Sequence, residues 1–197
     1  MAERNLSLTP TLVASPVEWL DAVCKDFDEF LKDHASCEKK ASGMAMSVAA
    51  HYPDKPRLLN AMVDLAVEEL NHYREVIRLM LARDVVPGAD QKDPYIHQLN
   101  ALIRRGPEYF LLDRLLIGAV VERRGAERFR LVAGRVTDPE LSKFYDAIAD
   151  SEERHWESFV DLAGEFYPED DVCRQLAIFT EQEGQIMADQ AIRPALH

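Results

Sequence analysis

The chain has 197 residues, 47% of them hydrophobic and 29% charged, which fits one globular domain with a single buried core and excludes a disordered or fibrous chain. Eight Gly and ten Pro are too few for a loop-rich all-β domain, and no apolar run is long enough to span a membrane. The net charge of -12 argues against a general nucleic-acid binder, and three cysteines without a CxxC pair exclude a zinc ribbon, a rubredoxin centre and a thiolate iron–sulfur cluster. Along the chain, Met1–Pro10 carries no basic segment followed by an apolar core, so no secretory signal is expected; this and the cysteine usage suit a cytoplasmic protein. A first helical region is expected from about Pro16 to His51, with a break near Cys24–Asp26. Tyr52–Asp54 reads as a turn, and Pro56 opens a second helix to about Arg83. Val86–Asp90 is a break, followed by a shorter helix from about Pro94 to Arg104 and a Gly106-Pro107 stop. A third long helix runs from Pro107 to about Val136. Asp138 and Pro139 cap and open a fourth, which ends near Phe166, and a final helix covers about Asp171 to Ala191. The fold class is therefore all-α, a single domain over 1–197: a four-helix bundle with one long crossover and additional short helices.

Charges interrupt the apolar stripes of the four long helices. The second reads Met62, Leu65, Glu69, His72, Val76, Met80, and the fourth Leu141, Tyr145, Ile148, Glu152, His155, Phe159, Leu162. Steps of three and four put each set on one helix face. The first helix carries Glu38 among Phe27, Leu31, Ala41, Ala45 and Val48, and the third carries Glu122 among Leu111, Leu115, Gly118, Ala126 and Phe129. Four carboxylates and two imidazoles in a core are costly unless paired or metal-bound. A pair of metal ions removes the conflict, because a Glu on each of two helices plus Glu-x-x-His on the other two supplies both centres. Glu38 precedes Glu69 by 31 residues and Glu122 precedes Glu152 by 30, as in a duplicated helix pair. The neighbouring Glu68, Glu127, Glu153 and Glu157 fall off the stripes and read as solvated or supporting. A zinc-protease motif is excluded, because the residue before Glu69 is Glu68, not His.

Carboxylate-rich sites with one imidazole per metal suit iron or manganese. The order Glu, Glu-x-x-His, Glu, Glu-x-x-His resembles that of the ferritin-like di-iron proteins. That resemblance implies Glu38, Glu69, His72, Glu122, Glu152 and His155 as ligands of two irons, with Glu69 and Glu152 as bridges. The surrounding text narrows it. His34-Ala-Ser-Cys-Glu-Lys-Lys-Ala-Ser, Glu68-Glu-Leu-Asn-His-Tyr, Val121-Glu-Arg-Arg-Gly-Ala-Glu-Arg-Phe and Ser151-Glu-Glu-Arg-His are similar to the bacterial tRNA 2-methylthio-N6-isopentenyladenosine hydroxylases. The resemblance implies an O2-dependent monooxygenase that hydroxylates the isopentenyl group of a modified adenosine in tRNA. It also implies an external electron donor of reductase or ferredoxin type, and no membrane partner.

An acidic protein acting on tRNA needs a local basic surface. Between Arg104 and Arg135 there are 8 Arg against 4 acids. Arg104, Arg105, Arg123, Arg124, Arg128 and Arg130 are candidates for a basic rim around a substrate channel, with Lys39 and Lys40 near the ligand of the first half. Gly118 and Ala126 are candidates for making room over the irons, although small residues also serve close helix packing. Competing readings are a ferritin-type iron-binding or storage protein and a di-iron oxygenase acting on a small lipid or aldehyde. A rubrerythrin-like peroxidase is disfavoured by the missing thiolate iron domain. The pattern sets no oligomeric state.

Overall fold

The computed structural model describes residues 11–197. The signal-peptide expectation at Met1–Pro10 lies outside them. Among the described residues there are seven α-helices and no strand: α1 (Val17–Lys25), α2 (Phe27–His51), α3 (Pro56–Ala82), α4 (Pro94–Ala101), α5 (Pro107–Arg135), α6 (Pro139–Phe166) and α7 (Glu169–Asp189). Sequence chemistry sets most of the boundaries. Asp26 leaves helical geometry (φ -135°, ψ 67°), which breaks α1 from α2, and its side chain accepts the Glu29 N–H at 3.2 Å as an N-cap. Pro56, Pro94, Pro107 and Pro139 each stand first in a helix, where the missing N–H costs nothing. Asp93 caps α4 through the Tyr95 and Ile96 N–H groups, and Asp138 accepts the Glu140 N–H at the start of α6.

Two boundaries differ from expectation. α4 stops at Ala101 rather than near Arg104, because the Asp113 carboxylate takes the Arg104 backbone N–H at 2.8 Å and the Nε and Nη2 donors on one edge of its guanidinium. α7 begins at Glu169 rather than Asp171. The Pro168 carbonyl accepts from Asp171 and Val172 there, and Glu169, Asp170 and Asp171 favour the positive end of the helix dipole.

Two compact units share the chain. One comprises Pro16–Lys92, Leu131–Phe144 and Ile192–His197, hence α1, α2, α3 and the adjoining ends of α5 and α6. Here α2 packs along α3, joined by the four residues 52–55. Their shared core includes Leu31, Ala35, Val76, Met80 and Val85, flanked by Phe27, Tyr73 and Phe144. Trp19 of α1 closes one edge and donates its indole N–H to the Ala195 carbonyl at 2.8 Å. The other unit comprises the segment ending at Ser15, Asp93–Arg130 and Tyr145–Ala191. In it α5 meets α6 through stacked Phe129 and Tyr145 rings, with centroids 5.7 Å apart, and through Gly118 against Phe159. α7 packs against α4. α5 and α6 are continuous through both units.

Candidate metal centre

The charged residues of the helix stripes are buried. Glu38, Glu69, His72, Glu122, Glu152 and His155 are all 9% exposed or less, among apolar neighbours such as Met62, Leu65, Ile148 and Phe159. Within the α2–α3 unit, Glu38, Glu69 and His72 form a trio. The His72 Nδ1 lies 3.5 Å from Glu38 Oε2 and 3.6 Å from Glu69 Oε2. Within the α5–α6 unit, Glu122, Glu152 and His155 form another. The His155 Nδ1 lies 3.2 Å from Glu152 Oε2 and 3.9 Å from Glu122 Oε2.

These separations fit metal coordination. Two donors each about 2.1 Å from one ion stand no more than about 4.2 Å apart, and all four distances fall inside that limit. In each trio both carboxylates and the imidazole offer a ligand atom within 4.8 Å of the others. Both histidines turn Nδ1 toward the carboxylates, and the Glu-x-x-His step puts each Glu and His on one helix face. Two carboxylates and one imidazole are a hard donor set that suits a divalent first-row metal.

The charges respond to this crowding. Burial pushes the Glu38 carboxyl upward, but the hydrogen bond with His34 and the nearby His72 imidazole outweigh it and hold the group well below the usual carboxylate range. Burial pushes His72 down, and the Glu38 and Glu69 carboxylates outweigh it, raising the imidazole to about 10. A cation held this firmly marks where a metal would displace a proton.

The tRNA-(MS[2]IO[6]A)-hydroxylase (MiaE) family model matches residues 8–197. The chain belongs to this family. Its relatives include the tRNA 2-(methylsulfanyl)-N(6)-isopentenyladenosine(37) hydroxylase of Pseudomonas putida, 34% identical over 195 residues and 95% of either chain. The protein of the same description from Salmonella typhimurium is 30% identical over 155 residues, 79% of this chain and 56% of that one. A solved structure of a Synechococcus protein with aldehyde deformylating oxygenase activity matches with a TM-score of 0.91 at 29% identity, covering 96% of both chains. The fold of this MiaE-family chain is thus the ferritin-like helical bundle, and the protein is an enzyme of a tRNA hydroxylase family.

The arginines expected to form a basic rim part company. Arg124 is fully buried. It donates from Nε to Glu183 Oε1 at 2.7 Å, from Nη2 to Glu183 Oε2 at 2.9 Å and the Val13 carbonyl at 2.8 Å, and from Nη1 to Glu127 at 3.0 Å. Arg128 is 2% exposed, and its Nε donates to Ser15 Oγ at 3.1 Å. Burial beside Arg124 pulls Arg128 down to about 10. Both side chains are buried and bonded inside the fold, which corrects the expectation that they stand on an exposed basic rim. Arg124 does point away from Glu122, but α7 fills that side and presents a carboxylate. Arg104 is committed to Asp113, Arg123 to Glu153 while stacked on Trp156, and Arg130 to Asp146 and Asp150. Arg105 stands exposed. Gly118 serves packing, since an added Cβ would lie 3.0 Å from the Phe159 ring. Ala126 is buried. Of the supporting glutamates, Glu153 accepts from the Trp156 indole N–H and Glu127 accepts from Ser15 and Arg124.

Two buried polar contacts of this MiaE-family chain were not expected from its sequence. His34 is buried and hydrogen-bonds Glu38 Oε1 at 2.6 Å. Its four-residue spacing before a ligand glutamate was the available signal. Glu183 is buried on α7, bound by Arg124 and by the Tyr95 hydroxyl at 3.1 Å. No local pattern marks it, because its partners lie 59 and 88 residues away.

Proposed function

We propose that the protein is a di-iron, O2-dependent monooxygenase that hydroxylates the isopentenyl group of 2-methylthio-N6-isopentenyladenosine at position 37 of tRNA. The observation that carries this reading is a matched pair of buried Glu–Glu–His trios in a chain of the MiaE family. Glu38, Glu69 and His72 would hold one iron and Glu122, Glu152 and His155 the other, with Glu69 and Glu152 in the bridging roles that the resemblance to the di-iron proteins implies. The metal pair would supply O2 activation. Overall a C–H bond of the isopentenyl group is replaced by C–OH, the second oxygen atom leaves as water, and two electrons and two protons enter from outside. The donor of those electrons is a separate reductase or ferredoxin-type protein. Apolar neighbours such as Ala126, Phe129 and Ile148 exclude water around the ligands. Arg105 is the candidate arginine for a phosphate contact, being exposed and without an ion pair among the described residues.

We propose further that 1–197 act as one domain. In support, α5 and α6 run without interruption through both units. Among the described residues no helix is long and apolar enough to cross a membrane. A tRNA substrate supports a cytoplasmic location.

An iron assay and oxygen uptake test this function. Two irons per chain are expected, with uptake driven by tRNA carrying the modified adenosine and not by tRNA lacking the isopentenyl group. Glu122→Ala and Glu152→Ala should each lose iron and activity together. A protein that holds zinc alone, with glutamate variants as active as the parent, would contradict the assignment. The likeness to the Synechococcus oxygenase favours one rival, a small-aldehyde substrate. Uptake driven by a free aldehyde but not by modified tRNA would establish that rival.

A further inference from the structure

We infer that His34 is a positioning residue for the ligand Glu38, and that through it the two iron positions are chemically unequal. The inference rests on the di-iron reading above. His34 precedes Glu38 by one turn of α2, so both side chains lie on the same helix face. Its ring is fully buried and close to the Phe30 and Phe144 rings, at centroid distances of 6.0 Å and 6.4 Å. An ionised carboxylate only accepts, so the ring Nε2 carries the proton and donates it to Glu38 Oε1 at 2.6 Å. A contact this short to a charged acceptor is strong and directional. It engages Oε1 and leaves Oε2 as the atom that faces His72 Nδ1 at 3.5 Å. Glu38 is thereby held for metal binding through one oxygen, in one orientation. Outer hydrogen bonds of this kind orient ligands and tune metal affinity.

The second half lacks the device. The 84-residue offset that carries Glu38 onto Glu122 carries His34 onto Gly118. The Phe159 ring fills that space, 3.0 Å from where a Cβ would stand, so no side chain reaches Glu122 from this position. The Glu38 carboxylate is therefore held by a histidine of the preceding turn, and no histidine stands at the matching position before Glu122.

The test is anaerobic ferrous-iron titration of the full chain, together with Mössbauer spectra of the 57Fe-loaded protein. Wild type is compared with His34→Leu, which removes the donor, and with His34→Gln, whose amide reaches about as far as the ring nitrogen. His34→Leu should weaken one of the two irons by about 10- to 100-fold and alter one of two quadrupole doublets. His34→Gln should restore both in part. If His34→Leu does not fold, His34→Asn replaces it, because its amide is polar but too short to reach Oε1; one weakened iron then supports the inference. A variant that melts lower yet binds both irons with wild-type affinity and spectrum would overturn it, as would equal changes at both irons. Those results require a wild type with two irons. A wild type that binds none would instead remove the di-iron reading, and this inference with it.

Discussion

A carboxylate stripped of water survives in a core only beside a partner, and this chain uses two kinds. The trios offer imidazoles and, when loaded, metal. Glu183 instead has the Arg124 guanidinium in a two-pronged contact, with both side chains fully buried. Removing one member of such a pair strands the other charge, at a cost of about 3–5 kcal/mol, whereas replacing both by apolar residues is often close to neutral. Arg124→Met should therefore lower the denaturation midpoint sharply, and adding Glu183→Leu should recover most of the loss. Chemical denaturation of the two variants checks this. A single variant as stable as the parent would mean that the pair contributes little. Iron per folded molecule should be unchanged in the double variant, since neither residue belongs to a trio.

Two glycines show how an element's face decides the outcome of one substitution. Gly43 lies mid-way along α2, exposed, and a Cβ there would meet nothing within 4 Å. Gly43→Ala should stabilise by about 1 kcal/mol through helix propensity alone. Gly118→Ala gains the same propensity but drives a methyl into the Phe159 ring, and overpacking of this kind costs about 1–3 kcal/mol. It should be neutral to destabilising, and thermal melts of the pair separate the two effects. The elements themselves were legible from the chain. Pro after a polar cap, Gly-Pro at a stop and charges at three-and-four spacing name helix starts, ends and inward faces without tertiary information. The same logic found the six trio residues, because each occupies a stripe position that burial alone would fill with Leu. It failed for Arg124 and Arg128. A residue that points away from one helix pair meets water only if no further helix covers it, and the local sequence does not say where α7 lies. It also passed over His34, whose i, i+4 step to Glu38 is an equally good signal once Glu38 is taken as a ligand.

For the molecule as a whole, metal binding and folding share one equilibrium. With iron chelated, His72 sits near 10, above its ordinary 6.5, so its contribution to stability is complete below about pH 6.5 and fades as the pH rises through about 10. Glu38 is depressed, so its contribution is complete above about pH 4.5 and fades as the pH falls. The chelated protein should melt highest between about pH 4.5 and 6.5. Iron requires His72 neutral, so the loaded form gains on the chelated form as the pH climbs from 6 to 9. Calorimetric melts of both forms across that range should diverge; parallel curves would mean that proton and metal do not compete at His72. The arginine network has a different consequence for the whole chain. Ser15 gives Glu127 both its backbone N–H and its hydroxyl, and the Val13 carbonyl receives Arg124, two residues from Glu122. A protease that trims the chain back to Pro16 takes away those contacts at once. Such a clip, which leaves α1–α7 whole, would leave Arg124 and Glu127 short of partners, so loss of the segment that ends at Ser15 is felt at the heart of α5.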